Sequence, residues 1–198
     1  MTKRILITAA IKDELTPTRE IINSSPIKTI KTDYLITGIG RNKTLEKLNR
    51  YFASNTASGI LNIGTCGSLN KNYKKKQLIM PTSYIAMTNN GLQQITTTSI
   101  SLKNPAGLEK SLLFTSQKAL YQTEEKTTVR NKTGADIVDM EAFWIAEFCI
   151  QHNMHFNSLK VISDEMQDFS LTEFKQELRQ DAQLLAKPVE KIIRTIAV

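Results

Sequence analysis

The sequence predicts an α/β fold: a three-layer α/β/α sandwich around a twisted, mixed but largely parallel sheet. Short, continuous apolar runs, of the kind found in strands covered on both faces, alternate along the chain with segments of helical periodicity. The chain has 198 residues, of which 40% are hydrophobic. This is enough for one sizeable core, so we expect a single domain over residues 1–198.

The first half of the chain shows the alternation clearly. Residues 4–11 form an apolar run that predicts a strand, and a helix should follow, although Pro17 is expected to delay its start. Residues 34–40 and 59–69 each predict a strand that runs into a glycine turn. Between them, residues 41–54 place their apolar side chains on one helical face.

The second half continues the pattern. Residues 77–87 predict a strand, whereas residues 88–108 are polar and carry turn signals. Residues 111–120 predict a further strand that leads into a polar stretch, and a strand over residues 156–168 is expected to be the last one.

Two helices are predicted in this half. Residues 138–149 read as a buried helix with Asp136 or Asp139 as its N-cap. The segment after residue 169 is amphipathic, with Ser170 or Thr172 as cap candidates and a break or kink at Pro188.

Composition excludes some functions and weakens others. The net charge is +7, with a basic run over residues 71–77, which suits a solvated loop better than a nucleic-acid site because it shows no helical repeat and has one aromatic residue. No apolar stretch approaches the roughly 20 residues of a membrane span. We therefore expect no membrane and no nucleic-acid partner.

The cysteines and histidines point to no metal or disulfide chemistry. Cys66 and Cys149 lie in apolar segments, as expected of reduced core residues in a cytoplasmic protein. His152 and His155 have an i,i+3 spacing but no convincing third ligand, so surface positions are favoured and no metal is expected.

Polar residues gather where predicted strands end. Glu14, residues 64–67, Gln117 and residues 163–164 all come just past apolar runs. In open α/β sheets, ligands bind beyond the carboxyl ends of the strands. Glu141 is discordant in another way, because it places a carboxylate on the apolar side of a predicted helix, where it needs a partner.

Five segments, in this order, resemble the purine nucleoside phosphorylase/nucleosidase superfamily: ILITAAIKDEL, TGIGRNKT, LNIGTCGSL, VDMEAFWIAEFC and KVISDEMQD. The likeness is greatest to the 5′-methylthioadenosine/S-adenosylhomocysteine nucleosidases, and it spans nearly the whole chain. A relative such as futalosine hydrolase stays open. The resemblance implies a small-molecule nucleoside substrate, no cofactor and a homodimer.

The resemblance also implies roles for three acidic residues. Glu141, in MEA, should accept hydrogen bonds from ribose hydroxyls, with Met140 beside the sugar. Asp164, in ISD, should protonate purine N7 as the base leaves, with Ser163 orienting it. Glu14 should activate the attacking water.

Other residues are implied to surround the substrate. Thr65, Cys66 and Gly67 should supply backbone N–H groups and a hydroxyl near the nucleophile and the sugar. Lys160 stands where the nucleosidases carry an arginine near the catalytic water. The positive charge is therefore kept, but the planar guanidinium group is absent. Ala119 stands where an aromatic residue would stack on the base, and Leu120 or Tyr121 is a candidate substitute.

The choice between hydrolysis and phosphorolysis rests on two positions. Asn62 occupies the place of a phosphate-binding arginine, and the carboxylate of Glu14 would repel a phosphate dianion. Hydrolysis is therefore predicted, while the base and the 5′-substituent stay open. The alternatives are a phosphorylase that builds its anion site from Arg41, Lys160 or another cation, and a catalytically impaired relative that binds a nucleoside or nucleic acid.

Overall fold

The protein is described by a computed structural model over residues 3–27, 29–97 and 108–196. Strands and helices alternate along most of the chain, as the sequence predicts. The elements are β1 (Lys3–Ala9), α1 (Lys12–Ser24), β2 (Ile30–Ile36), α2 (Arg41–Phe52), β3 (Gly59–Ser68), β4 (Leu78–Thr88), β5 (Gly91–Thr96), β6 (Glu109–Thr115), α3 (Thr123–Thr133), β7 (Ile137–Asp139), α4 (Ala142–Gln151), β8 (His155–Asp164) and α5 (Leu171–Ile196).

The sheet is mixed and largely parallel. Strand β1 pairs in parallel with β2 and β3, β3 with β8, and β6 with β4 and β7. The pairs β3–β7, β4–β5 and β4–β8 are antiparallel. Because β8 pairs with both β3 and β4, strands β3, β7, β6, β4 and β8 close into a ring. This closure brings the ends of distant strands together and was not predicted.

Helices cover both faces of the sheet, so the predicted three-layer architecture is confirmed. Helices α1 and α5 pack against each other and cover one core, which includes Ile7, Ile63 and Leu159. Helices α2 and α4 cover a second core, which contains Ile60 and Phe143. Within the part of the chain that the structure describes, no helix is long and apolar enough to cross a membrane.

The predicted helix start near Pro17 is wrong, and so is the predicted break at Pro188, while a kink there stays a prediction. Helix α1 begins at Lys12, five residues before Pro17, and α5 continues through Pro188 without ending there. A proline removes one intrahelical hydrogen bond, and tertiary packing can outweigh that loss. Both helices have this support, since α1 and α5 bury apolar faces against each other and against the sheet.

Three short elements were missed. Helix α3 has a single apolar residue, Val129, and therefore shows no periodic pattern. Strand β5 lies in the segment predicted to be polar loop, where it pairs with β4 through the Gly91 turn, while residues 98–107 of that segment lie outside the described residues. Strand β7 was assigned to the following helix, which begins only at Ala142.

The predicted cap of α5 is confirmed. Ser170 and Glu173 form reciprocal hydrogen bonds: the Ser170 N–H donates to Glu173 Oε2 at 2.8 Å, and the Glu173 N–H donates to Ser170 Oγ at 3.2 Å. Ahead of α4, the Asp139 carboxylate accepts the N–H of Ala142 at 3.0 Å and so acts as a cap, although Glu141 occupies the N-cap position. Asp136 instead pairs with Arg130.

Candidate active site

A cavity of about 800 Å³ opens at the carboxyl ends of β1, β3 and β8. All nine residues assigned to the site from the sequence line it: Glu14, Thr65, Cys66, Gly67, Met140, Glu141, Lys160, Ser163 and Asp164. They come from α1, β3, the β7–α4 junction and β8. The parallel pairing of these strands is what brings such distant segments to one edge of the sheet.

Glu14 is buried and held by β3. Its Oε1 accepts hydrogen bonds from the backbone N–H of Thr65 at 2.8 Å and from the Thr65 hydroxyl at 2.9 Å, while Oε2 accepts the Ile11 N–H at 3.4 Å. These donors fix the carboxylate at the cavity wall. The two bonds from Thr65 use both lone pairs of Oε1, whereas Oε2 keeps a second lone pair with which it can accept a hydrogen bond from a water or ligand.

Two glycines of β3 leave space for carboxylates of the site. The predicted turn at residues 64–67 is wrong, because β3 continues through them. Gly64 has φ +152°, and a Cβ added there would lie 2.8 Å from Glu14 Oε1. A Cβ added at Gly67 would lie 3.0 Å from Asp164 Oδ2. Both residues belong to a continuous strand, and at both the absence of a side chain lets an acid approach the backbone closely.

Glu141 is also buried, directly ahead of α4. Its Oε1 accepts the backbone N–H of Gly40 at 2.9 Å, so the glycine segment before α2 contacts a site residue in addition to forming a turn. Burial and the nearby carboxylate of Asp139 raise the pKa of Glu141 to about 8, although Lys160 and the Gly40 N–H act in the opposite direction.

Lys160 and Asp139 form a buried ion pair, 2.9 Å between Nζ and Oδ2, with side chains only 3% and 2% exposed. Burial lowers the pKa of Lys160, but the carboxylates of Asp139 and Glu141 outweigh this effect and hold it above its ordinary value. Asp139 also accepts the hydroxyl of Thr115 at 2.8 Å. The cavity wall therefore carries an ammonium that is paired with a buried carboxylate.

Asp164 ends β8 and accepts hydrogen bonds on both oxygens. The Ser163 hydroxyl lies 2.9 Å from Oδ1, and the ammonium of Lys126 lies 2.5 Å from Oδ2. Lys126 comes from α3 and is fully buried.

Burial raises the pKa of the neighbouring Cys66 thiol well above its usual range, so this cysteine remains a neutral thiol.

Aromatic and aliphatic side chains form the remaining wall. The residues that contribute to it include Leu120, Tyr121, Phe169 and Phe174, next to Ala119. The Phe169 N–H donates to the Tyr121 carbonyl at 2.9 Å, which joins the segment after β8 to the segment after β6. A flat base could pack against these rings in the absence of an aromatic residue at Ala119.

Sequence reasoning missed three residues of this arrangement: Asp139, Lys126 and Phe169. Asp139 directly precedes MEA and was considered only as a helix cap. Lys126 lies in a polar stretch that reads as loop, with no pattern to signal burial. Phe169 follows ISD by five residues, and its aromatic side chain in a polar segment was the one available signal.

The basic run contacts acidic residues of the same chain. The ammonium of Lys74 lies 3.2 Å from Glu165, and that of Lys75 lies 2.6 Å from Glu177. Tyr73, the aromatic residue of the run, is buried. The two histidines, His152 and His155, are both exposed.

Comparison with known proteins agrees with this geometry. The sequence profile of the Phosphorylase superfamily matches residues 101–194. The matched segment is slightly less than half of the chain. It contains strand β8 and residues of the cavity wall that include Met140, Glu141 and Asp164.

A relative that the chain resembles in sequence is a nucleosidase. The chain is 29% identical over 138 residues to the 5′-methylthioadenosine/S-adenosylhomocysteine nucleosidase of Buchnera aphidicola subsp. Baizongia pistaciae (strain Bp), a match that covers 59% of this chain and 55% of that relative. The match therefore spans little more than half the length of that protein.

Solved structures share the fold over nearly the full chain. The 5′-methylthioadenosine/S-adenosylhomocysteine nucleosidase of Helicobacter pylori with butyl-thio-DADMe-Immucillin-A superposes with a TM-score of 0.86 at 18% identity, over 98% of this chain and 99% of that one. The native futalosine hydrolase of Helicobacter pylori gives 0.84 at 18% identity, with the same coverage.

Proposed function

We propose that this protein is a member of the phosphorylase superfamily and hydrolyses the N-glycosidic bond of a purine nucleoside, with a 5′-modified adenine nucleoside as the expected substrate. The observation that supports this most directly is that Glu14, Glu141 and Asp164 line one cavity. They come from α1, the β7–α4 junction and the end of β8. The names of the relatives agree with this class of reaction.

In the proposed reaction the bond between the sugar C1′ and the base N9 breaks as water attacks C1′. Glu14 accepts a proton from that water, while Asp164 delivers a proton to N7 of the departing base. The positive charge that develops on the sugar is stabilised by the carboxylates of the site. Glu141 holds the vicinal ribose hydroxyls, and Met140 packs beside the sugar.

The supporting groups each have a place in this proposal. Thr65 and Gly67 lie on the strand beside the water and the sugar, and Cys66 contributes to the same wall as a neutral thiol. Ser163 orients Asp164 through its hydroxyl, 2.9 Å from Oδ1. Lys160 balances the negative charge of Asp139 and Glu141 at the wall.

Water is favoured over phosphate as the nucleophile by the charges in the cavity. Among the described residues that line it, the acids are Glu14, Glu125, Asp139, Glu141 and Asp164, and the cations are Lys118 and Lys160. Lys160 is already paired with Asp139, and Lys118 with Glu125. Asp164 is likewise paired with Lys126, so a phosphate dianion would meet the carboxylate of Glu14 while the cations among the described lining residues are already paired.

The positions considered for an anion site support the same choice. Asn62 is buried in β3, where its amide lies 3.3 Å from the Thr8 hydroxyl and accepts from Ser158 at 3.4 Å. The guanidinium of Arg41 stacks on Trp144, 4.7 Å from the ring centroid. Both side chains are thus committed to contacts within the fold.

The experiment is release of free adenine from 5′-methylthioadenosine, measured with and without phosphate. Hydrolysis predicts the same rate under both conditions, and a requirement for phosphate would assign the protein to the phosphorylases. Glu14→Gln and Asp164→Asn should each lower kcat by about 100-fold or more, since both remove a group that transfers a proton. Glu20→Gln, on the exposed side of α1, is the matched control.

A binding protein without catalysis is the second candidate. It is favoured by Ala119, where an aromatic residue would stack on the base. Isothermal titration with the nucleoside would show binding without turnover in that case. The nucleic-acid version of this candidate is weakened by the pairing of Lys74 and Lys75 with acids of the same chain.

The assembly and location of the protein are part of the proposal. Ile36 and Ile39, at the end of β2, are 43% and 50% exposed, and Ile39 lines the cavity mouth, so a second copy covering this edge would complete a homodimer. Sedimentation equilibrium tests this, with Ile36→Lys expected to weaken association.

Both cysteines are free and buried, which supports a cytoplasmic location.

A further inference from the structure

We propose that Lys126 is the positioning residue of Asp164 and the reserve from which this acid obtains its proton; the inference rests on the proposed nucleosidase reaction. Lys126 projects from α3 and is completely buried, with its ammonium 2.5 Å from Asp164 Oδ2. A buried lysine lowers the stability of the fold unless its contacts compensate, because removing an ammonium from water costs free energy.

The contacts of the ammonium fix its direction. Its three N–H donors have three acceptors: Asp164 Oδ2, the Glu165 carbonyl at 2.8 Å and the Gln167 carbonyl at 2.9 Å. The Phe169 ring adds a cation–π contact at 5.9 Å. The same ammonium therefore orients Asp164 and, through the two carbonyls, stabilises the segment after β8. This segment includes Phe169, which lines the cavity.

The hydrogen bonds of Asp164 show why it needs a proton source. Its Oδ2 accepts from Lys126, and its Oδ1 lies 2.9 Å from the Ser163 hydroxyl. The ammonium of Lys126 can only donate, so its contact with Oδ2 suits the carboxylate form of Asp164. The proton that N7 requires is then carried by the adjacent ammonium.

The step balances in atoms and charge. As the C1′–N9 bond breaks, its electron pair passes into the base, and N7 takes a proton from Asp164. Asp164 takes a proton from Lys126 Nζ, which becomes a neutral amine hydrogen-bonded to the restored carboxylate. After the products leave, Glu14 releases to solvent the proton that it took from the attacking water, and solvent returns one proton to the amine, so that both groups are restored with no net change in protons.

The charges around the pair set its pH behaviour. Lys126, on α3, faces Asp164 at the end of β8 and lies near Asp168 in the segment that follows. Hydrogen bonds from Thr123 lower the pKa of Asp168, and the charge of Lys126 acts in the same direction. The carboxylate of Glu165 is turned to Lys74 and to the Lys75 N–H instead. From β3, Asp164 faces the neutral Cys66 thiol.

The test compares Lys126→Met with the wild type over the pH range in which both stay folded. Without the ammonium, Asp164 must take its proton from solvent. We expect kcat at neutral pH to fall by about 100-fold, the scale of general acid catalysis, with KM changed far less. As pH falls, the kcat of Lys126→Met should approach the wild-type kcat.

Three further variants sharpen the test. Lys132→Met removes an exposed lysine of the same helix and should leave kcat and its pH profile unchanged. Lys126→Arg keeps a positive charge beside Asp164 but gives up its proton far less readily, so it should restore thermal stability without restoring kcat. The double variant Lys126→Met/Asp164→Asn removes both charges and should have the kcat of Asp164→Asn alone.

The outcomes separate this inference from the proposed function. Suppose that the wild type releases adenine and that kcat of Lys126→Met is lowered by the same factor at every pH, or is not lowered at all. The proposed proton supply by Lys126 is then wrong, while the proposed nucleosidase activity is unaffected. Recovery of kcat in Lys126→Arg would leave only the positioning role. A wild type that cleaves no purine nucleoside would overturn the proposed function itself. If Lys126→Met fails to fold, the double variant decides, and a kcat below that of Asp164→Asn would contradict the inference.

Discussion

The ammonium of Lys160 lies 2.9 Å from the carboxylate of Asp139, and both side chains are almost completely buried. The two residues reach each other from β8 and from the short strand β7, on opposite sides of β3 in the sheet. This contact joins the strand that carries Asp164 to the segment that carries Glu141. It is therefore a structural link between two parts of the proposed site.

Removing one partner of this pair should destabilise the protein strongly. Lys160→Met leaves the Asp139 carboxylate buried without its cation, and we expect unfolding free energy to fall by about 3 kcal/mol. The double variant Lys160→Met/Asp139→Asn removes both charges and should lose less than Lys160→Met alone. Urea denaturation measures both, with Lys110→Met, an exposed lysine of β6, as the control. A double variant less stable than the single one would contradict a charge-pairing explanation.

Gly64→Ala should disable the site through Glu14. The new Cβ would lie 2.8 Å from Glu14 Oε1, and the glycine has φ +152°, so both the carboxylate and the strand must shift. We expect kcat to fall by at least about tenfold, because a displaced carboxylate no longer meets the attacking water. The adenine-release assay measures this.

Gly91→Ala is the matched control for that substitution. Gly91 also has a positive φ, +92°, but a Cβ there meets nothing within 4 Å. Backbone strain of about 1 kcal/mol or more should lower its melting temperature, while kcat stays at the wild-type value. Equal losses of activity in both variants would show that strain, and not the contact with Glu14, is responsible.

The layer architecture and the place of the site were predictable because both follow from local patterns. Apolar runs marked β1, β3 and β8, and parallel strands gather their carboxyl ends at one edge of a sheet. Glu14 could be assigned to that edge because it comes shortly after such a strand, and Asp164 because it ends one. Glu141 was recognisable through the MEA motif.

The contacts that organise the site were not predictable, because they join residues distant in sequence through elements with weak patterns. Lys126 is carried by α3, whose single apolar residue gives no periodicity. Gly64 and Gly67 read as a turn, since a sequence does not reveal that a carboxylate from another element occupies the space of a Cβ. Ring closure by β8 likewise depends on long-range pairing with β4.

Glu141 should make the stability of the ligand-free protein fall as the pH rises. Its pKa is raised from 4.5 to about 8, first by burial and then by Asp139. Between these values the folded state retains a proton that the unfolded chain has lost, so the unfolding free energy decreases with increasing pH. Glu141→Gln removes this titration, and its melting temperature should decline less from pH 5 to pH 8.

The control for this measurement is Glu46→Gln, on the exposed side of α2, which should keep the wild-type pH dependence. The charged groups that face Glu141 are Asp139, Lys160 and Glu14, and all three are retained in both variants. An unchanged slope in Glu141→Gln would mean that another group causes the pH dependence.

Asp181, on α5, should be replaceable with a gain in stability that depends on pH. The residue is 1% exposed, and neither carboxylate oxygen has a hydrogen-bond donor among the described residues. Burial, and next the charge of Glu177, raise the pKa of Asp181 from 3.8 to about 6, although Lys75 and Lys76 act in the opposite direction. Stability should therefore be lost as pH rises through this interval.

Asp181→Asn keeps the shape of the side chain and removes the charge. Above pH 7 the wild type must bury an ionised carboxylate, so the variant should melt at a higher temperature; at pH 4 the wild-type carboxyl is largely protonated, and the difference should nearly vanish. Differential scanning calorimetry at the two pH values gives both numbers, with Glu20→Gln on the exposed side of α1 as control. A gain of equal size at pH 4 and pH 8 would attribute the effect to packing, because only the charge of Asp181 changes between them.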